Sequence, residues 1–199
     1  QRNPAKGYFG GWNNKTAPDY GNAYNNLSYY FGPFHRAHVV DGFLAAHDDL
    51  TFEDVRDLAL NIATTDSFGR GGNPWAFVSG IFSGAAAAAS TPERDAAVAM
   101  LAEWDGHFVA GGPAQWLDGT DRADAWALMD AWLRETLRLV FEDELGAQLY
   151  DQQPKALLFN VFLRAVRPDL SALANGYDWM TSLADPAAPQ TAAAIIVQA

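Results

Sequence analysis

The chain has 199 residues, of which 13 are basic and 24 acidic, so its formal net charge is −11 at pH 7. Apolar residues make up 49% of it and charged residues 19%, which indicates a folded domain rather than a disordered chain. The acidity argues against nucleic acid and against an anionic membrane surface as partners, since clustered Lys and Arg hold both. The absence of cysteine excludes disulfides, thiolate zinc sites and a Cys nucleophile within the chain, and no apolar run is long enough for a transmembrane helix.

The first 40 residues differ from the rest in composition. They are rich in Asn, Gly and Tyr, and Tyr8-Phe9 and Trp12 are predicted to lie on a short strand that ends at Asn13-Asn14. We therefore predict one domain with two parts: a strand and loop segment over residues 1–40 and a helical region over residues 41–199. The expected fold class is α+β, with most of the chain helical.

Capping residues mark where several helices should begin and end. Thr51 and Thr91 are predicted N-caps, and Pro92 and Glu93 suit the first turn of a helix. That helix should stop at Trp104-Asp105-Gly106, where Gly is the terminator. Further helices are predicted over residues 76–89 and 154–167, and the apolar tail near the end should need a partner surface.

The longest helix is expected from about Thr120 to Gly146. Its apolar residues recur at the spacing of one helical face, with Asp130 and Arg134 on the outer side. The predicted stripe consists of Trp126, Met129, Leu133, Leu137, Val140 and Phe141.

Histidine spacing raises the question of a metal site. His35 and His38 are three residues apart and could share a helix face, with Asp41 as a third ligand. The alternative is two hydrogen-bonded or solvent-facing imidazoles.

Other candidate motifs have ordinary structural explanations. Asp66-Ser67 lacks a G-x-S-x-G context and suits a helix-ending turn, and Gly69-Arg70-Gly71-Gly72 suits either an anion cradle or a plain loop. Asp48-Asp49 and Glu142-Asp143-Glu144 are predicted to be solvated faces or helix ends, since they lack a calcium-loop pattern.

Four motifs occur in an order that resembles a known family. A W-N-N motif lies in residues 7–14, and about twenty residues later Gly32-Pro33-Phe34-His35-Arg36 supplies an arginine. A helix start at residues 50–54 and the W-D-G ending at residues 104–106 follow. Together, over residues 5 to 106, they resemble penicillin acylases, which are N-terminal-nucleophile hydrolases of αββα fold that cleave linear amides. The resemblance makes this chain similar to part of the family's β subunit.

The resemblance implies roles for two residues. In the family, the first Asn of W-N-N donates its side-chain amide to the oxyanion of the tetrahedral intermediate, and here that residue is Asn13. Arg36 matches an arginine that supports this Asn and the substrate. Taken alone, Asn13 would be interpreted as a turn residue.

The resemblance also implies partners beyond this chain. Family members use a Ser, Thr or Cys at a free N-terminus, and Gln1 is none of these, so the nucleophile is expected on another segment. The chain is then a fragment of a precursor that is exported to the periplasm or secreted and cuts itself into α and β chains. The expected partners are the α subunit, the nucleophile-bearing part of β and a small amide substrate.

No cofactor or metal is expected in this segment. Some members bind a structural calcium through an acidic residue soon after W-N-N, but residues 21–26 contain no carboxylate. Such an ion is therefore expected only elsewhere in the parent enzyme. Two other functions stay open: an acylase for N-acyl homoserine lactones or lipopeptides, and a non-catalytic helical binding or structural module.

Overall fold

The computed structural model describes residues 4–10, 35–64, 73–107, 122–170, 174–183 and 185–199. Within these ranges the chain forms helices and no strand, so the helical majority is confirmed and the β part of the α+β prediction has no counterpart there. The helices are α1 (His35–Ala45), α2 (Phe52–Thr64), α3 (Trp75–Ala88), α4 (Pro92–Glu103), α5 (Arg122–Leu145), α6 (Ala147–Gln152), α7 (Lys155–Val166) and α8 (Ala192–Gln198), with a 3-10 turn at Pro168–Leu170.

The start of the chain departs from the prediction. Tyr8 and Phe9 lie in irregular backbone rather than a strand, so the prediction is wrong for them, while Trp12 to Asn14 lie outside the described residues. The preceding Gly7 has φ 80° and its N–H donates to the carbonyl of Pro4 at 2.9 Å, a local turn that interrupts extended backbone. Helix α1 begins at His35, ahead of the boundary predicted at residue 40.

The predicted N-caps are confirmed by side-chain hydrogen bonds. Thr51 Oγ1 accepts from the N–H of Asp54 at 3.2 Å, and Asp54 Oδ2 accepts from the N–H of Thr51 at 2.8 Å, which is a capping box. Thr91 Oγ1 accepts from the N–H of Arg94 at 3.3 Å, with Pro92 in the first turn. Because these bonds satisfy otherwise unpaired N–H groups, they fix where α2 and α4 begin.

The core is built around α5, and α3, α4, α7 and α8 pack around it. The stripe residues of α5 are buried except one: Trp126 remains 37% exposed, so its place in the predicted stripe is wrong. Ala125, one residue earlier, is fully buried and lies four residues before Met129 on the inward face. Adjacent helical residues point about 100° apart, and therefore Trp126 turns away. The outer pair is confirmed, since Arg134 Nε lies 2.7 Å from Asp130 Oδ2.

Helix α8 contains the apolar end of the chain that was predicted to need a partner surface. Ile195 and Ile196 are buried against α3 and α5, which confirms that the apolar end needs a surface. The indole Nε1 of Trp132 donates to the carbonyl of Ile196 at 2.8 Å, and Arg94 Nη2 donates to that of Val197 at 3.3 Å. Each buried isoleucine contributes about 1.5–3 kcal/mol of burial free energy, so this short helix is held mainly by its two apolar side chains.

None of the described helices is both long enough and apolar enough to cross a bilayer.

Candidate functional site

The two residues predicted to act in catalysis differ in how the structure places them. Asn13 lies outside the described residues. Arg36 occupies the first turn of α1 rather than the loop turn suggested by Gly32-Pro33, and its side chain also lies outside the described part. The described residues next to the W-N-N motif are those of residues 4–10 and of α1.

The segment before the motif is bound to α1 through one carboxylate. Asp41 Oδ1 lies 2.7 Å from Lys6 Nζ and accepts from the hydroxyl of Tyr8 at 3.0 Å. The Lys6 ammonium also lies 4.4 Å from the centre of the Tyr8 ring, within range of a cation–π contact. Residues 4–10 are thus held to the middle of α1.

The contact with Asp41 changes the pKa values of both Lys6 and Tyr8. The hydrogen bond to Asp41 raises the pKa of Lys6, because it favours the ammonium form. Desolvation, followed by the hydrogen bond to Asp41, raises the pKa of Tyr8. Both groups therefore keep their protons at neutral pH, which is the state that the contact with Asp41 requires.

Gly10 brings the chain against α1 near Arg36. A Cβ placed on Gly10 would lie 3.9 Å from both Val40 Cγ1 and Asp41 Oδ1. Val40 follows Arg36 by four residues, and residues four apart share a helix face. The backbone just before W-N-N therefore lies against the middle of α1, one helical turn after Arg36.

The W-D-G ending forms a second polar cluster, at the end of α4. The indole Nε1 of Trp104 donates to the carbonyl of His107 at 2.8 Å, and the N–H of His107 donates to Asp105 Oδ1 at 3.1 Å. Gly106 between them has φ 85°, and the Asn73 side chain lies against its Cα. Helix α4 ends where predicted, but the backbone is already extended at its C-cap Trp104, so Gly106 turns the chain after the helix has ended.

A buried ion pair joins this cluster to α5. Arg122 donates from Nε and Nη2 to Asp105 Oδ2 at 3.0 and 2.8 Å, and the two side chains are only 15% and 7% exposed. Sequence reasoning missed Asn73 and Arg122 as partners, because their contacts join distant parts of the chain. The W-D-G motif was the single feature that pointed here, and the arrangement holds structure rather than reacting groups.

The metal hypothesis gains no support within the described residues, where no group of three potential ligands could hold an ion. The imidazoles of His35 and His38 lie outside the described side chains, and Asp41 is engaged by Lys6 and Tyr8. Asp66-Ser67 and residues 69–72 also lie outside the described part.

One acidic motif differs from its prediction as a purely solvated end. Asp48 and Asp49 are exposed as expected, and Glu142 pairs with Arg138 at 2.6 Å. Both carboxylate oxygens of Glu144, however, are shielded from solvent and accept no hydrogen bond from an N–H group of another described residue. Burial, with its neighbour Asp143, raises the pKa of Glu144 to about 8. Sequence alone does not reveal this burial, because it depends on contacts with distant parts of the chain, where Asp178 is one nearby charge.

Comparison with known proteins gives one match. The family model described as Penicillin amidase matches residues 1–199, which extends the likeness beyond the motifs in the first half of the chain. No curated protein and no solved structure matches the chain.

Proposed function

Because this chain belongs to the penicillin amidase family, we propose that it is part of a hydrolase for linear amides that works by acyl transfer to an N-terminal nucleophile on another segment. The observation that carries the proposal is the contact of Gly10 with α1 at Val40 and Asp41. It supports a common location for the two residues to which we assign roles.

Chain geometry makes that common location feasible. Asn13 follows Gly10 by three residues, which limits their Cα–Cα distance to about 11 Å even in extended chain. Arg36 and Val40 are separated by about 6 Å along α1. These limits allow Asn13 and Arg36 to face one substrate, and we propose that they do.

Asn13 is proposed as the side-chain donor of the oxyanion hole. When a hydroxyl or thiol attacks the amide carbonyl carbon, negative charge develops on the carbonyl oxygen. A neutral carboxamide N–H held in place stabilises that charge more strongly in the transition state than in the ground state. Arg36 is proposed to orient Asn13 and polar parts of the substrate.

The remaining steps belong to another segment. The α-amine of the nucleophilic residue accepts the proton of the attacking hydroxyl or thiol. It then donates this proton to the leaving amine as the C–N bond breaks. Water then attacks the acyl ester or thioester and releases the acid. The proposed partners are therefore the α subunit and the nucleophile-bearing part of β, in a precursor that is exported and processed.

The test is a mass measurement on the processed parent protein during turnover of a linear anilide. We expect a companion polypeptide that begins with Ser, Thr or Cys and gains the mass of the acyl group after an acid quench. A preparation without such a chain and without an adduct would contradict the proposal and favour the non-catalytic module.

A second acylase activity is kept as the alternative. The residues that would choose the acyl group lie on other segments, so N-acyl homoserine lactones or lipopeptides suit the same machinery. Comparing kcat/KM for an anilide and an N-acyl homoserine lactone of equal acyl length would separate the two.

A further inference from the structure

A late segment covers the carboxyl end of α5. In this clasp segment (residues 177–183), Trp179 and Met180 pack against the core. The Trp179 ring meets Phe141 of α5 edge-on with centroids 5.1 Å apart, and Tyr177 lies 4.5 Å from Trp179. These aromatic contacts hold the start of the segment on α5. They do not involve its other end, which contains Ser182 and Leu183.

The polar end of the segment is held by an acid of α5. Asp143 Oδ2 accepts from the N–H of Leu183 at 3.2 Å, and its carboxylate also bonds to the hydroxyl of Ser182. Within the segment, Asp178 accepts from the N–H of Met180 at 3.0 Å and from the Thr181 hydroxyl at 2.8 Å. Asp143 is therefore the side chain that ties the segment to the helix.

Glu144 lies beside this tie, and no N–H group of another described residue donates to its side chain. Its two oxygens are shielded from water, and the group within hydrogen-bonding reach is the carboxyl of Asp143. Two carboxylates are both acceptors, so a bond between them requires a proton on one. A charged carboxylate without donors in such a place is costly.

The surrounding charges do not neutralise the pair. Asp178 on the clasp segment adds a further negative charge next to Glu144. Arg138 and Glu142, which line the groove beside Asp143 and Ser182, are paired with each other at 2.6 Å. On α7, Lys155 donates to the carbonyl of Tyr150 at 2.6 Å, and the Nε of Arg164 is shielded from solvent without a hydrogen-bond partner in the described part of the chain. Helix α8 carries no ionisable side chain.

We propose that Asp143 and Glu144 form a proton-dependent clasp, which holds residues 177–183 on the end of α5 while the two carboxyl groups share one proton and loosens them when that proton is lost. The titration belongs to the pair rather than to either residue. In the closed state Glu144 keeps its proton up to a pH of about 8, well above its ordinary value of 4.5. Closure is therefore favoured at neutral pH and weakens as the pH rises toward 8.

The clasp can be followed at Trp179 in the full chain. With 5-fluorotryptophan in place of tryptophan, the ¹⁹F resonance of Trp179 is assigned by its loss in Trp179→Phe. We expect this resonance to shift with a midpoint near pH 8. In Glu144→Gln, which mimics the protonated acid in shape and charge, the resonance should stay at its neutral-pH position throughout.

Hydrogen exchange gives an independent measure of loosening. Comparing the peptide that contains residues 177–183 between wild type and Glu144→Gln at one pH cancels the intrinsic pH dependence of exchange. At about pH 9 the wild-type peptide should exchange several-fold faster than the variant, and at about pH 6 the two should agree, because Glu144 is then protonated.

Glu135→Gln is the matched control, since Glu135 lies on the same helix but pairs with Arg138 in an exposed position. This variant should keep the wild-type transition. A Trp179 resonance that does not move between about pH 6 and about pH 9.5, or that moves equally in Glu144→Gln, would overturn the clasp.

Discussion

Gly106 shows how a single residue can be fixed by two separate constraints. Its φ of 85° lies in the left-handed region, and a Cβ there would come within 2.5 Å of Asn73 Cβ and Cγ. Asn73 cannot easily move away, because its Oδ1 accepts from the N–H of Trp75 at 3.0 Å at the start of α3. Gly106 thus serves both the turn after α4 and the entry to α3.

Gly106→Ala should lower the free energy of unfolding by about 2–5 kcal/mol, through left-handed strain and overlap with Asn73. Urea unfolding followed by circular dichroism measures the change. Gly146→Ala is the control: Gly146 has φ 70° and ψ 151°, but a Cβ added there would meet no described atom within 4 Å, so this variant should lose only the backbone strain, about 1–3 kcal/mol. Equal losses at both positions would show that Asn73 does not constrain Gly106.

At the scale of elements, the apolar periodicity of α5 predicts its buried face correctly but not the residue at which that face begins. Met129, Leu133, Leu137, Val140 and Phe141 were all correctly assigned to the core, because a long helix repeats its buried face many times. Trp126 also fits that spacing, yet the buried position at the start of the helix goes to Ala125. Periodicity locates a face, but which of two adjacent residues begins it depends on what packs there.

Leu133→Ala should therefore destabilise the protein by about 2–5 kcal/mol, since Leu133 is completely buried and leaves a cavity. Trp126→Ala, on the same helix, removes a side chain that is 37% exposed and should cost clearly less. Thermal or urea unfolding of the two variants compares them directly. A larger loss for Trp126→Ala than for Leu133→Ala would reverse the assignment of the inward face.

At the scale of the whole molecule, caps and the apolar stripe made the helices predictable, whereas polar partners far apart in sequence were not. The Asp105–Arg122 pair and the shielding of the Glu144 carboxylate from solvent depend on how the helices are placed in space. The site was approached by a different route, through motif resemblance. The contacts of Lys6 and Tyr8 with Asp41 place the segment before W-N-N on α1, a position that sequence spacing alone could not supply.

The free energy of unfolding should decrease in two pH ranges, once on acidification and once as the pH rises. Hydrogen bonds lower the pKa of Asp54, bonded to Thr51, and of Glu135, bonded to Arg138, so their contributions are present above the ordinary carboxyl values and are lost on acidification. Glu144 has the opposite sign: its raised pKa stabilises the fold below 4.5, and this contribution is lost as the pH rises to about 8. Urea midpoints measured across pH should fall on acidification and also between about pH 4.5 and 8, and the second decline should be reduced in Glu144→Gln. An unchanged second decline in that variant would assign it to other groups.

The central claim, that a carboxamide of this chain stabilises an oxyanion, is tested most directly by single-turnover acylation of the processed parent enzyme carrying Asn13→Ala, with Asn14→Ala as the neighbouring control. Loss of one oxyanion donor should slow acylation by about 10²–10³-fold, while processing, folding and the rate of the Asn14 control stay closer to wild type. Acylation by Asn13→Ala at a near-normal rate would contradict the account.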